Sequence, residues 1–282
     1  MTGVPIAPGK TTCPATDTIF LGIELDTNTQ TARLPQDKII EYGKDIRELL
    51  VHKKVRRKTL ESIIGKLSFA ASVVPARPFL RRMIDLLSLV SKPFHSIRLT
   101  REITEDIHIW LQFLDRYNGI TYFRALKITQ SNVIHMASDA SKLGFGAVFG
   151  KRWIQAAYPL NWQAYHITVL ELYPIYVMMT IFGQLMKNSN ILFHCDNSAV
   201  VAIINKQSSK DKTIMGIVRP LVMQLIKHNI NLRSIHIPGV DNLLPDKISR
   251  FQTTPEMMRD FGMEPNQTII PEILQPGNFT MR

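Results

Sequence analysis

The sequence predicts an α/β chain in two parts: a mainly helical module with a short β-hairpin, then a mixed five-stranded sheet with flanking helices. Three patterns point there. Apolar residues at helical spacing dominate the first half, short alternating runs closed by tight turns open the second, and helix and strand patterns then alternate. The 282 residues suit two domains, and 45% hydrophobic with 20% charged residues is a globular composition, far from a disordered one.

Residues 1–17 read as a flexible tail. Thr18–Leu25 and Gln30–Leu34 are strand-like, and Asp26-Thr27-Asn28-Thr29 supplies turn chemistry between them. Pro35 stands where a helix starts, followed by Ile39, Ile46, Leu49 and Leu50 at helical spacing. A second helix begins near Thr59, with Leu60, Ile63, Ile64, Leu67 and Val74 on one face, and Pro75 and Pro78 break it. Arg77–Val90 and Thr100–Tyr117 are further helices, separated by Pro93. The first module is therefore expected over 18–125, with a linker around Tyr117–Ser131.

The second domain is expected over 131–252. Val133–Ser138, Phe145–Phe149 and Trp153–Tyr158 form three antiparallel strands. A long apolar helix (Ile167–Met186), a buried strand (Asn190–Cys195), helices Ser198–Asn205 and Thr213–His228, a strand (Asn231–Ile237) and a helix near Asn242–Phe251 complete it. Residues 253–282 form a Pro- and Met-bearing C-terminal extension expected to pack loosely.

Composition excludes several classes. Cys13 and Cys195 cannot build a disulfide framework or a zinc ribbon, and a reducing compartment fits them. Met1–Thr12 shows no secretory signal, so the expectation is an intracellular protein of nucleus or cytoplasm, not a secreted one. Ile167–Met186 is apolar enough to suggest a membrane span, but Glu171, Pro174, Gly183 and Gln184 interrupt it and strands flank it. A buried core helix with no membrane partner is the reading. The formal net charge is +11, with +7 on residues 1–130 and +4 on the remainder. A basic chain suits a polyanionic partner, or is merely soluble. Pro8-Gly9-Lys10-Thr11-Thr12 resembles the end of a phosphate loop but lacks its first glycine and a preceding strand.

Between Ser131 and Arg250 only six carboxylates occur: Asp139, Glu171, Asp196, Asp211, Asp241 and Asp246. Asp139 ends an apolar strand, Glu171 is the sole charge of its helix, and Asp196 ends the apolar strand NILFHCD. Ionised acids beside a sheet core must be paired, hydrogen-bonded or metal-bound. Each has a bland alternative: Asp139 capping a turn with Ser141, Asp196 with Asn197 and Ser198 capping a helix, Glu171 bonded to its own helix end. Together they favour a hard divalent cation held by oxygen, Mg²⁺ or Mn²⁺. His194 and Cys195, beside Asp196, are read as core packing, because neighbours on a strand point to opposite faces.

The ordered set Asp139 (SDAS, then GFGAVFG), Glu171 (LELYP), Asp196 (HCDNSA) and Asp246 (HIPGVDNLLPDKISR) resembles the type 1 ribonuclease H domain of retroelement reverse transcriptases, most of all that of DIRS-type retrotransposons. Pro245 and Lys247 replace the two alanines usual around the last aspartate. The segment FLGIELDTNTQTARLPQDKI, followed by LESIIGKLSFAASVVPARPFLRRMIDLL, is similar to the end of the palm and the thumb and connection of the same elements. No Tyr-x-Asp-Asp motif occurs, so polymerase activity is not expected from this chain, which looks like a portion of a larger polyprotein.

The resemblance implies an RNase H-like fold and hydrolysis of the RNA strand of an RNA–DNA hybrid with two Mg²⁺ ions, Mn²⁺ being possible in their place. In that scheme Asp139 bridges both ions, Glu171 and Asp196 hold the one on the water side, and Asp246 holds the other. Asn197 and Ser198 are the candidates for reading the 2′-hydroxyl. No histidine follows Gly239, unlike the cellular relatives, and nothing matches their basic protrusion helix, so hybrid binding is expected to lean on Lys53, Lys54, Arg56, Arg57 and Lys58, whose bland readings are a nuclear-localisation-like patch or a solvated turn. The polymerase portion of a parent polyprotein is a further expected partner. Two alternatives stay open: a catalytically silent nucleic-acid-binding relic of this fold, and a transposase- or integrase-type nuclease, which usually places a glutamate on the last helix.

Overall fold

A Leu-Gly step folds the expected first strand back on itself. The structure, a computed structural model, describes residues 13–29, 31–116, 121–122 and 128–280. Within Thr18–Leu25 the chain forms β1 (Asp17–Phe20) and β2 (Ile23–Asp26), antiparallel, with Leu21 (φ 49°) and Gly22 (φ 78°) both left-handed between them. A two-residue turn of that hand matches strand twist, which explains the extra hairpin. β3 (Thr31–Arg33) follows.

Then come α1 (Gln36–Val51), β4 (Lys54–Arg56), α2 (Arg57–Ala70), α3 (Arg81–Ser88), β5 (Ser96–Arg98), α4 (Arg101–Arg116) and β6 (Thr121–Tyr122), with a 3-10 turn at Arg77–Leu80. Leu60, Ile63, Ile64 and Leu67 are buried along α2, as their spacing requires. β4 and β5 were not expected as strands: each buries a single residue, Val55 or Ile97, too few to show alternation. Sheet order is β1-β2-β3-β6 in one sheet and β4-β5 in the other. The chain divides into two compact units, Met1–Ala76 with Arg82–Arg124, and Arg77–Arg81 with Ala125–Arg282. Most of the expected tail (1–12) and part of the linker (117–120 and 123–127) lie outside the described residues.

The second unit holds β7 (Ile128–Gln130), β8 (Met136–Ala140), β9 (Gly144–Phe149), β10 (Arg152–Ala157), α5 (Ile167–Phe182), β11 (Asn190–Cys195), α6 (Ser198–Lys206), α7 (Lys212–Lys227), β12 (Asn231–His236), α8 (Leu243–Ser249) and α9 (Pro255–Asp260). The expected single five-stranded sheet is instead two three-stranded ones, an antiparallel β10-β9-β8 and a parallel β12-β11-β7. A turn over 131–135, with His135 at φ 48°, takes the first three residues of the expected strand Val133–Ser138, and β7 lies before it in the expected linker. Ser131 is the joint: its N–H donates to Leu192 O (2.9 Å), its Oγ accepts from His194 N (2.9 Å), and its carbonyl accepts from Met136 N (2.7 Å).

α5 packs on β8, β9, α6 and α7. With its 3-10 extension to Met186 it is, among the described residues, the one helix long and apolar enough to cross a membrane, yet Leu172–Met179 are all buried within the unit. The C-terminal extension packs closely rather than loosely. Met258, Met263, Ile270 and Leu274 are buried, Trp153 Nε1 donates to Glu264 O, and the Tyr173 hydroxyl donates to Leu274 O. Phe279 packs against the rings of Trp162, Tyr173 and Tyr176.

α8 lies against β9 because Gly146 leaves room for it. A Cβ there would fall 2.5 Å from Ile248 Cβ and 2.7 Å from Ser249 N. Gly146→Ala is therefore expected to force α8 outward and cost about 1–3 kcal/mol in urea unfolding.

Candidate functional site

Each acid is placed by the end of an element or its first turns. Asp139 is the fourth residue of β8 and 8% exposed. Glu171 lies in the second turn of α5, which is capped by His166 Nδ1 accepting from Thr168 N. Asp196 is the first residue beyond β11, and Asp246 sits in α8, whose turn closes with Asp246 N–H donating to Asn242 O (3.2 Å). Pro245, which needs no donor in a first turn, fits there without breaking the helix. All four acids line one cleft of about 640 Å³, with Lys142, Val240 and Arg250 on its rim.

Inside the cleft the acids are poorly compensated. Burial pushes Asp139 up to about 6; the Ser249 hydroxyl opposes this, while the charges of Asp196 and Asp246 add to it and Arg250 offsets them. Burial pushes Glu171 up to about 7, opposed by the Asn197 side chain and reinforced by Asp196 and Asp139. Glu171 Oε2 is buried with no hydrogen-bond partner. Asp246 Oδ1 accepts from Arg250 Nε at 2.7 Å, one helical turn on.

The clustering brings in residues that spacing alone did not suggest. Ligand atoms of Glu171, Cys195 and Asp196 lie within 4.8 Å of one another. Strand alternation placed Cys195 away from Asp196, but β11 ends at Cys195, so the alternation stops before the acid. The Ser249 hydroxyl, fully buried, is 2.6 Å from Asp139 Oδ2 and 2.9 Å from Asp246 O. It has one hydrogen, given to the carboxylate when Asp139 is ionised. Its position three residues after Asp246, on the same helix face, was the available signal. Asn242 Nδ2 donates to Ser138 O and Gln155 Nε2 to Ile248 O, fixing α8 to the sheet.

The other predicted residues are placed as follows. Asn197 caps α6, its Oδ1 accepting from Ala199 N and Val200 N, and Ser198 is exposed at the helix start. Lys53, Lys54, Arg56 and Lys58 are exposed in the first unit. Arg57 is instead half-buried and committed within the protein, Nε donating to Val90 O (2.6 Å) and a terminal nitrogen to Glu61 (2.9 Å).

These residues fit a divalent cation. The four acids offer oxygen donors, one of them buried and unpartnered, and their mutual repulsion is what a cation would relieve.

No protein-family model matches the chain, and no curated protein matches it. Among solved structures it is similar to foamy viral protease-reverse transcriptases: one, dRH, in complex with double-stranded DNA (14% identity, 78% of this chain and 38% of that one, TM-score 0.34) and one in complex with an RNA/DNA hybrid (13% identity, 78% and 29%, TM-score 0.34). The chain thus spans well under half the length of either.

Proposed function

We propose that this chain is a retroelement-type ribonuclease H that hydrolyses the RNA strand of RNA–DNA hybrids, of the DIRS-like kind its motifs resemble, without a polymerase site of its own. One observation carries the reading: four acids far apart in sequence line one cleft, and the buried Glu171 Oε2 has no protein partner there. Asp139, Glu171, Asp196 and Asp246 would hold two Mg²⁺ ions, or Mn²⁺, which when bound supply an activated water and stabilise charge on the scissile phosphate and leaving oxygen.

The protein's own contribution is preorganisation. Ser249 fixes Asp139 Oδ2, and among the described residues Oδ1 takes no protein hydrogen bond, so one oxygen is anchored and the other is available. Asn197 holds the start of α6 beside Glu171 and offers its amide where a sugar hydroxyl would pass; Ser198 stands exposed next to it. Lys53, Lys54, Arg56 and Lys58 contribute phosphate contacts, with Arg57 holding their loop. The polymerase portion of a parent polyprotein is the protein partner, and the setting is intracellular, in nucleus or cytoplasm.

The test is cutting of end-labelled strands. With Mg²⁺, RNA paired to DNA is cut, whereas single-stranded RNA, RNA duplex and DNA duplex are not, and chelation stops the reaction. Tight hybrid binding without cutting in either Mg²⁺ or Mn²⁺ would instead identify a silent relic of the fold.

A further inference from the structure

The β4–β5 ribbon adds Arg98 and an exposed aromatic ring to the cations already assigned to phosphate contact, a combination that duplex binding does not explain. Its register pairs Lys54 with Arg98, Val55 with Ile97 and Arg56 with Ser96. Val55 and Ile97 are buried, so period-two alternation turns Lys54, Arg56, Ser96 and Arg98 to the other face, where all four are exposed. Like charges directly opposite each other on a ladder are destabilising. Here Lys54 faces Arg98, and among the described residues no ion pair engages Lys53, Lys54, Arg56, Lys58 or Arg98. The nearby carboxylate Glu61 is already taken by Arg57. A ribbon of this kind is relieved by an external polyanion. Lys54 and Arg56 stand about 6.6 Å apart along the strand, the scale of successive phosphates on an extended chain.

A second feature narrows the ligand. Phe94 is 82% exposed, two residues before the start of β5. The main chain is anchored on both sides of it: Lys58 N–H donates to Pro93 O (3.3 Å) and Arg57 N–H to His95 O (3.0 Å), while the Arg57 side chain donates to Val90 O (2.6 Å). An aromatic ring held out in solvent by its backbone, beside unpaired cations, is a stacking surface for an unpaired base, because every base offers a π-face while the cations follow the backbone. A duplex keeps its bases stacked inside and has no face to offer Phe94.

We propose that the β4–β5 ribbon and Phe94 form a binding site for single-stranded nucleic acid, with Lys54, Arg56 and Arg98 on the phosphates and Phe94 under a base. Arg57 is a positioning residue that staples the 90–95 loop against α2. The site goes beyond the hybrid-cleaving reading, and its test needs no divalent metal, so either can fail without the other.

The experiment is fluorescence anisotropy of the whole chain with a labelled thymidine oligomer and with the corresponding duplex, in chelator, over a salt series. Lys54→Ala with Arg98→Ala is expected to weaken single-strand binding about tenfold at about 0.1 M salt and to flatten the slope of log K against log salt by about 1.4, near 0.7 per lost phosphate contact. Phe94→Ala is expected to weaken single-strand binding about tenfold and leave duplex binding within about twofold, while Phe94→Trp retains it. Lys44→Ala, exposed elsewhere on the same unit, is the control that changes neither. Wild-type affinity and slope in the Lys54/Arg98 variant would overturn the proposal. So would equal losses for duplex and single strand in Phe94→Ala, with far-ultraviolet circular dichroism unchanged.

Discussion

Asp139→Asn is expected to lower hybrid cutting by about a thousandfold or more while making the metal-free protein more stable. The two effects have one origin. Asp139 is 8% exposed and its carboxyl is pushed up to about 6 by burial, so an ionised carboxylate there costs folding free energy unless a cation shares the cleft. Asparagine keeps the shape and can still accept the Ser249 hydrogen through Oδ1, but it has no charge to bury and binds Mg²⁺ poorly. Loss of a central ligand removes the charge stabilisation a metal-assisted displacement depends on. A variant that merely misfolds loses activity and stability together. Opposite movement of the two, with cutting measured on labelled hybrid and melting measured in chelator, is the signature of a functional carboxylate. Melting below wild type in chelator would sink this account of Asp139.

Most of the second unit was legible in the sequence because its core elements carry strong patterns. α5 is apolar on all sides and is buried on nearly all of them, and β9, β10, β11 and α7 fall within a residue or two of expectation. Three of the acids, Asp139, Glu171 and Asp196, were legible for the same reason, since a charge in an apolar run stands out; Asp246, in a polar segment, was marked only by the family resemblance, and all four line the cleft. What was not legible depends on partners distant in sequence. β7 has only three residues and takes its partner from β11, some sixty residues on; the turn that separates it from β8 carries Val133 and Ile134, which read as the start of a strand. Ser249 looks like an ordinary serine of a short helix until Asp139, 110 residues earlier, is placed against it. The C-terminal extension read as loose because it is Pro- and Met-bearing, yet Ile270 and Leu274 join the core cluster of the unit. In the first unit, β4 and β5 each bury one side chain, so only their pairing reveals that the basic run is a ribbon with a defined outer face.

The metal-free protein is expected to lose stability as pH rises from about 4 to about 7, and Mg²⁺ is expected to restore it. Asp139 and Glu171 have folded-state values of about 6 and about 7, above their ordinary 3.8 and 4.5. Over the interval between, the folded state binds more protons than the unfolded one, so unfolding free energy falls with rising pH and levels off once both acids are ionised. At about 1.36 kcal/mol per unit, reduced because the two acids share neighbours and Glu171 is partly exposed, the loss is on the order of 2 kcal/mol for each. Burial is the main cause in both. Asp196 and Asp246 push Asp139 further the same way, Asp196 and Asp139 do so for Glu171, and Ser249, Arg250 and Asn197 oppose. His228 works in the other direction: burial holds its value below 6.5, so the folded state gains stability as pH rises through that range. The measurement is therefore a difference, urea unfolding of wild type minus Glu171→Gln in chelator at stepped pH, in which His228 cancels. Wild type should fall relative to the variant between about pH 4 and 7, and millimolar Mg²⁺ at pH 7.5 should raise wild-type melting but not that of the variant. A flat difference curve would mean that Glu171 titrates normally in the folded state, leaving its unpartnered Oε2 to solvent rather than to a cation.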